Sequence, residues 1–208
     1  MAASGSREED FAVTEEQEKL EERELTNWLL GRLAKISEPD REAGLKAQKR
    51  FDSVAKPLRS LGVLEDDIVR IAEITGTPQV DFGKRALIIM CADNGIVEEG
   101  ISQTGKEVTA VVTANFTRGE SCACLMAQQA GADVFPVDIG VEMDLGPLGE
   151  CFPLLDRKIR RGTRNFLKEP ALTRREVLLA LKTGIELTEE LKKRGYGLIA
   201  TGEMGIGN

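Results

Sequence analysis

Histidine is missing altogether from these 208 residues, cysteine and aromatic side chains are scarce, and positive charge is outweighed by negative. Each shortage excludes something. The close pair Cys122 and Cys124 has no histidine to join it and no second close pair, so a packing role is favoured over a metal or redox site. Four cysteines in all, three of them next to or inside apolar runs, read as reduced core thiols and not as a disulfide framework. A net charge of -7 argues against a nucleic-acid surface, which needs a basic face. There is no apolar run of about 18 residues and no charged-then-apolar leader, so neither a membrane span nor a secretory signal is visible. The cytoplasm is the expected compartment. With 41% apolar and 30% charged residues the composition is that of an ordinary globular protein, long enough for one large domain or a domain with a helical appendage.

Residues 1–13 are small, polar and acidic, which predicts a weakly held tail. Thr14 with Gln17 is a capping-box pattern, and Leu25, Leu29, Leu33 and Ile36 then recur at near-helical spacing, which predicts a helix to about Lys35. Trp28 on that stripe reads as a packing anchor. Asp40 is a good N-cap for a second helix carrying Ala43, Ala47, Phe51 and Val54, ended by Pro57. A third helix is predicted over about 65–74. Residues 1–75 therefore read as a tail and helical lobe, and residues 76–208 as an α/β domain.

Within that domain the run Ala86-Leu-Ile-Ile-Met-Cys-Ala92 reads as a strand buried on both faces, which implies a parallel sheet. Helices are expected over 107–117, with Val108, Val111, Val112 and Phe116 inward, and over 120–130, stopped by Gly131. A second strand, 132–139, contains Pro136, which suggests an edge or an irregularity. The stretch 141–170, with the basic run Arg157 to Arg164, reads as one long loop. Thr173 with Glu176 opens a long helix ended by Gly195, and Leu198-Ile-Ala200 forms a short buried closing strand. Strand, helices, strand, helix, strand is the order of right-handed crossovers in a Rossmann-like α/β sheet flanked by helices.

All three strands run toward a carboxylate, Asp93, Asp138 or Glu203, and ligands of open parallel sheets bind beyond the carboxyl ends of the strands. The three are expected to share one pocket unless they only cap helices and bind loop amides, alternatives evenly balanced for Asp138. The closing glycines, Gly202-x-x-Gly205-x-Gly207, can offer backbone amides to an anion. Their spacing is not that of the dinucleotide fingerprint, and no Walker lysine follows, so a dehydrogenase or P-loop reading loses support.

Asp93-Asn-Gly-Ile-Val-Glu-Glu-Gly-Ile-Ser102, Glu107-Val-Thr109, Val137-Asp-Ile-Gly140, Gly162-Thr-Arg-Asn165 and Gly202-Glu-Met-Gly-Ile-Gly-Asn208 occur in the order of one family. From about Leu87 onward the chain resembles nicotinate-nucleotide:dimethylbenzimidazole phosphoribosyltransferase. The resemblance implies an α/β enzyme with an N-terminal helical lobe, usually a homodimer, needing no metal or other cofactor. It implies transfer of phosphoribosyl from nicotinate mononucleotide to dimethylbenzimidazole or a related base, in cobamide assembly. By motif match, Gly205, Ile206, Gly207 and Asn208 lie near the nucleotide phosphate, Glu203 faces ribose and base, and Ser102 lines the base pocket, with Asp93, Asn94 and Asp138 nearby.

Two departures accompany the match. Where the family commonly has Gly-Asp-His-Gly, this chain has Ala92-Asp-Asn-Gly95, which removes a proton carrier. The family's general-base glutamate falls beyond residue 208, so Glu203 is the nearest carboxylate by motif. An incomplete catalytic set, a separate C-terminal partner chain, an open sheet edge and marginal stability are the corresponding expectations. The competing expectation is a subunit that binds base or nucleotide without turnover.

Overall fold

The computed structural model describes residues 15–208, so the tail and the Thr14 half of the first capping pair lie outside the described residues. Helix α1 (Glu15–Leu33) opens with acidic residues that suit the positive end of its dipole. Of the expected stripe only Leu25 is buried, and Leu33 and Ile36 face solvent. What holds α1 is a polar seam with α6 (Arg174–Lys193): Arg32 pairs with Glu189, Arg175 with Glu21 at 2.7 Å and Arg174 with Glu22 at 3.0 Å. Trp28 is the anchor of that seam, with the cations of Arg32 and Lys182 5.2 and 5.7 Å from its ring centre.

Asp40 caps α2 (Arg41–Asp52) by accepting the N–H groups of Glu42 and Ala43. The helix ends at Asp52 and leaves Val54 exposed, short of the expected stop at Pro57. It packs against α3 (Val63–Thr75), which closes on Gly76 with a φ of 66°.

Four parallel strands follow, in the order β3-β2-β1-β4: β1 (Lys84–Ala92), β2 (Ala132–Gly140), β3 (Leu155–Asp156) and β4 (Tyr196–Met204). Helices α4 (Glu107–Arg118) and α5 (Cys122–Gln129) cover one face, around Ile89, Cys91 and Val134. Helix α6 covers the other, around Ile88, Phe135 and Val137. The fold class is therefore the one expected, an α/β parallel sheet flanked by helices.

Four details differ from expectation. The stretch 141–170 contains β3, whose two residues pair with Val137 and Asp138 and are too few to show periodicity. Pro136 is buried in mid-strand opposite Ile89, in the part of β2 that β3 does not reach, so the missing N–H falls where the ladder is one-sided. Strand β4 is nine residues long and mostly exposed; Leu198 and Ala200 lie opposite Arg85 and Leu87, on the α4–α5 face of the sheet, and are still open to solvent. It has a neighbouring strand on one side only among the described residues.

The fourth difference is in α4. Its buried face is Thr109, Thr113 and Thr117 with Ala110, Ala114 and the expected Phe116, while Val111 is 56% exposed. Small side chains let the helix lie close to the sheet, and the hydroxyls of Thr113 and Thr117 are satisfied by the carbonyls of Thr109 and Ala114. Two of the four cysteines, Cys91 and Cys124, are core thiols; Cys122 and Cys151 are exposed. None of the described helices is long and apolar enough to cross a membrane.

The second capping box is present as expected. Thr173 accepts the Glu176 N–H, the Glu176 carboxylate takes the Thr173 N–H, and it also receives both terminal nitrogens of Arg164. Burial raises the Glu176 pKa, but the Arg164 hydrogen bonds, the Thr173 N–H and the charges of Arg164 and Arg160 outweigh it and hold the carboxyl below 4.5. A group with a depressed folded pKa stabilises the fold above its unfolded value and stops doing so as pH falls through the folded one. Glu176→Gln should cost about 1–2 kcal/mol near neutral pH, and urea unfolding at about pH 3 should show most of that gap closed. A gap of equal size at both pH values would assign the effect to packing.

Candidate functional site

The carboxyl end of β1 is where the loops meet. Asp93 is fully buried; its N–H donates to Gly140 O, its Oδ2 accepts the Glu142 N–H at 2.7 Å, and its carbonyl accepts the Thr163 N–H. One residue thus joins the chain after β1, the chain after β2 and the segment before α6. Its second oxygen, Oδ1, is buried without a hydrogen-bond partner among the described residues. Gly95 completes the junction: a Cβ there would lie 2.5 Å from the Thr163 carbonyl oxygen, so only glycine lets the 163–165 backbone pass. The Gly95 N–H donates to Thr163 Oγ1 at 3.1 Å.

Ion pairs fix the loops above this junction. Lys168 reaches Glu98 at 2.9 Å and Asn165 donates to Glu99, which ties the turn Gly95–Glu99 to the 165–168 segment. The Lys168 ammonium holds the Glu98 carboxyl below the usual carboxylate range. Lys106 reaches Glu142 at 2.7 Å. Ser102 is half-buried between these parts, its hydroxyl oxygen accepting the Thr104 N–H.

The three carboxylates picked from the sequence do not form one cluster. Asp138 stands opposite Cys91 on the α4–α5 face, whereas Glu203 stands opposite Met90, whose side chain packs on the α6 face. Asp138 is buried with both oxygens engaged, Oδ1 by the N–H groups of Gly140 and Val141 and Oδ2 by Lys158 at 2.6 Å. Glu203 is exposed and belongs to β4, not to the loop beyond it. Both charges are felt at Cys91, whose thiol is pushed up to about 11, mainly by burial.

The two motifs at the ends of β1 and β4 do come together. Asn94 Nδ2 donates to Ile206 O at 3.1 Å, and Gly205 is buried so close to β1 that a Cβ would strike the Ala92 carbonyl. Gly207, with a φ of 93°, turns the chain against Val97. Thr109, which the valine pattern of α4 concealed, accepts the Ile206 N–H. The glycine loop therefore sits beside Asn94 and the first turn of α4.

A cavity of about 90 Å³ lies at the ends of β1 and β2, lined by Ala92, Gly140, Gly162, Thr163, Arg160 and Glu176 among others. It includes none of Ser102, Asp138 or Glu203. A larger apolar cavity of about 350 Å³ lies between α2, α3 and the 78–82 segment, with Arg50 as its one charged side chain. It has neither the carboxylates nor the amide cluster that sugar-phosphate chemistry needs.

A family model described as "Phosphoribosyltransferase" matches residues 36–208. The nicotinate-nucleotide--dimethylbenzimidazole phosphoribosyltransferase of Acetivibrio thermocellus is 48% identical over 176 residues, 85% of this chain and 49% of that protein. That of Ruminiclostridium cellulolyticum is 45% identical over 83% of this chain and 48% of its own length. Among solved structures, CobT from Thermus thermophilus superposes with a TM-score of 0.73 at 38% identity, covering 80% of this chain and 49% of its own. The chain spans about half the length of the curated relatives it matches.

Proposed function

Because the chain belongs to the nicotinate-nucleotide–dimethylbenzimidazole phosphoribosyltransferase family, we propose that it takes part in moving a ribosyl phosphate from nicotinate mononucleotide to 5,6-dimethylbenzimidazole or a related base. The products are α-ribazole phosphate and nicotinate, and the setting is assembly of the cobamide lower ligand. One observation carries the reading: the glycine loop after β4 is tied to the Asn94 turn after β1.

In the reaction an imidazole nitrogen of the base attacks the ribose anomeric carbon while the bond to the nicotinate nitrogen breaks. The base's other ring nitrogen then gives up its proton. Positioning, and stabilisation of positive charge on the ribose, are the main tasks. Gly205, Ile206, Gly207 and Asn208 form the loop beside the phosphate, and Glu203, exposed at the end of β4, faces ribose and base. Ser102 and its loop line the base pocket, with Asp93, Asn94 and Asp138 nearby. The base that takes the imidazole proton is assigned to no residue of this chain beyond the nearest candidate, Glu203. Residues 1–75 are the N-terminal tail and helical lobe, whose α1 lies on α6, and residues 76–208 carry the ligands. The chain works in the cytoplasm, as a homodimer or with a separate partner chain.

A second reading is that it binds base or nucleotide without turnover, favoured by the placement of Asp138 and Glu203 on opposite faces of the sheet. The two are separated by incubating the chain with nicotinate mononucleotide and dimethylbenzimidazole. The second half of the Acetivibrio thermocellus relative is added or left out, and nicotinate release is followed by chromatography. Product formed with the added half supports transfer, and binding without product supports the second reading. Neither product nor binding overturns both.

A further inference from the structure

The loop after β4 is gripped at a single residue, through both of its backbone polar groups. The Ile206 N–H donates to Thr109 Oγ1 and the Ile206 carbonyl accepts from Asn94 Nδ2, each at 3.1 Å. The two grips come from different elements, Thr109 from the first turn of α4 and Asn94 from the turn after β1. Thr109 is fully buried, so water has no access to replace it, and an amide left without an acceptor there would be costly. Another buried threonine of α4 anchors the helix that holds it: Thr117 Oγ1 accepts the Gly149 N–H at 2.7 Å. The two residues that follow are in the opposite condition. Among the described residues, the Gly207 and Asn208 amides donate to no protein group.

We propose that Thr109 and Asn94 are positioning residues that lock the two peptide groups on either side of the Ile206 Cα, and so hold the Gly207 and Asn208 amides ready for an anionic ligand. That the ligand is the phosphate of nicotinate mononucleotide rests on the function proposed above; the lock itself does not. The arrangement divides the loop's donors. Ile206 N–H is committed to the protein, and the neighbouring amides are left for the ligand in one fixed arrangement, so little ordering remains to be done on binding. An asparagine side chain does this without a titrating group, so the lock does not loosen with pH as one built on an imidazole would.

The test compares the full chain with Thr109→Val, which keeps the shape and loses the hydroxyl, and Thr109→Ser, which keeps the hydroxyl. Amide hydrogen exchange followed by NMR should find the Ile206 N–H slow in the parent and in Thr109→Ser, and fast in Thr109→Val. Calorimetry should find affinity for nicotinate mononucleotide about tenfold weaker or more in Thr109→Val and within about threefold of the parent in Thr109→Ser. Affinity for nicotinate riboside, which lacks the phosphate, should not change; a general structural defect would weaken both ligands alike and overturn the role. Asn94→Ala frees the carbonyl of the same residue without touching the core, and should reproduce the phosphate-specific loss if Thr109→Val does not fold. Fast Ile206 exchange in the parent overturns the lock outright. Slow exchange in a parent that binds neither inorganic phosphate nor nicotinate mononucleotide leaves the hydrogen bonds standing and overturns the ligand.

Discussion

Gly205→Ala is expected to weaken nicotinate mononucleotide binding more than about tenfold and to destabilise the chain by about 1–3 kcal/mol. Gly205 is buried where the end of β4 crosses the end of β1, and a methyl group there would overlap the Ala92 carbonyl oxygen and come within 3.0 Å of Asn94 Nδ2. The first obstacle is backbone in the central strand of the sheet, which no rotamer change can move aside. The loop must therefore lift, and in lifting it breaks the Asn94 bond to Ile206. Gly202 in the same motif is the control. Its added Cβ would meet nothing closer than 3.6 Å, so Gly202→Ala should bind and unfold like the parent. Calorimetry with nicotinate mononucleotide and urea unfolding read both variants. Equal affinity in Gly205→Ala and Gly202→Ala would detach the glycine loop from the ligand.

What could be read from the residues alone divides along a physical line. Elements announced by local chemistry were legible: the Asp40 cap, the Thr173–Glu176 box and the apolar run of β1 each satisfy their own backbone or bury their own side chains. Features that depend on a distant partner were not. β3 is two residues that are strand only because Val137 and Asp138 lie beside them. Hydrophobicity puts Val108, Val111, Val112 and Phe116 on the inward face of α4; Phe116 is there, but Val111 is exposed and the sheet takes the threonines, because hydroxyls that bond back to their own helix can be buried at close range.

The candidate site follows the same division. The glycine motif and the Asp93–Gly95 turn were visible, and they meet through Asn94 and Ile206. That Glu203 and Asp138 would stand on opposite faces was a matter of strand register, which spacing along the chain does not specify. Thr109 belongs to a quoted motif, Glu107-Val-Thr109, but its hydroxyl gains meaning only once residue 206 is folded against it.

The other large effect is expected at Asp138, and it tests scaffold against site. Asp138→Ala removes the acceptor for the Gly140 and Val141 amides and the partner of Lys158 together, leaving an ammonium group held only by the Val141 carbonyl. Leaving the two buried amides without an acceptor, with the half-buried Lys158 stranded beside them, costs about 2–4 kcal/mol. For a domain of this size such a loss is a large part of the whole stability. Asp138→Asn retains an oxygen for the two amides and should cost less. Adding Lys158→Met to Asp138→Ala should recover part of the loss, since the stranded cation goes with it. Urea unfolding gives all three values. If Asp138 instead touches substrate, Asp138→Asn will unfold like the parent and bind nicotinate mononucleotide or dimethylbenzimidazole poorly, and that combination would move the residue from the frame of the site into the site itself.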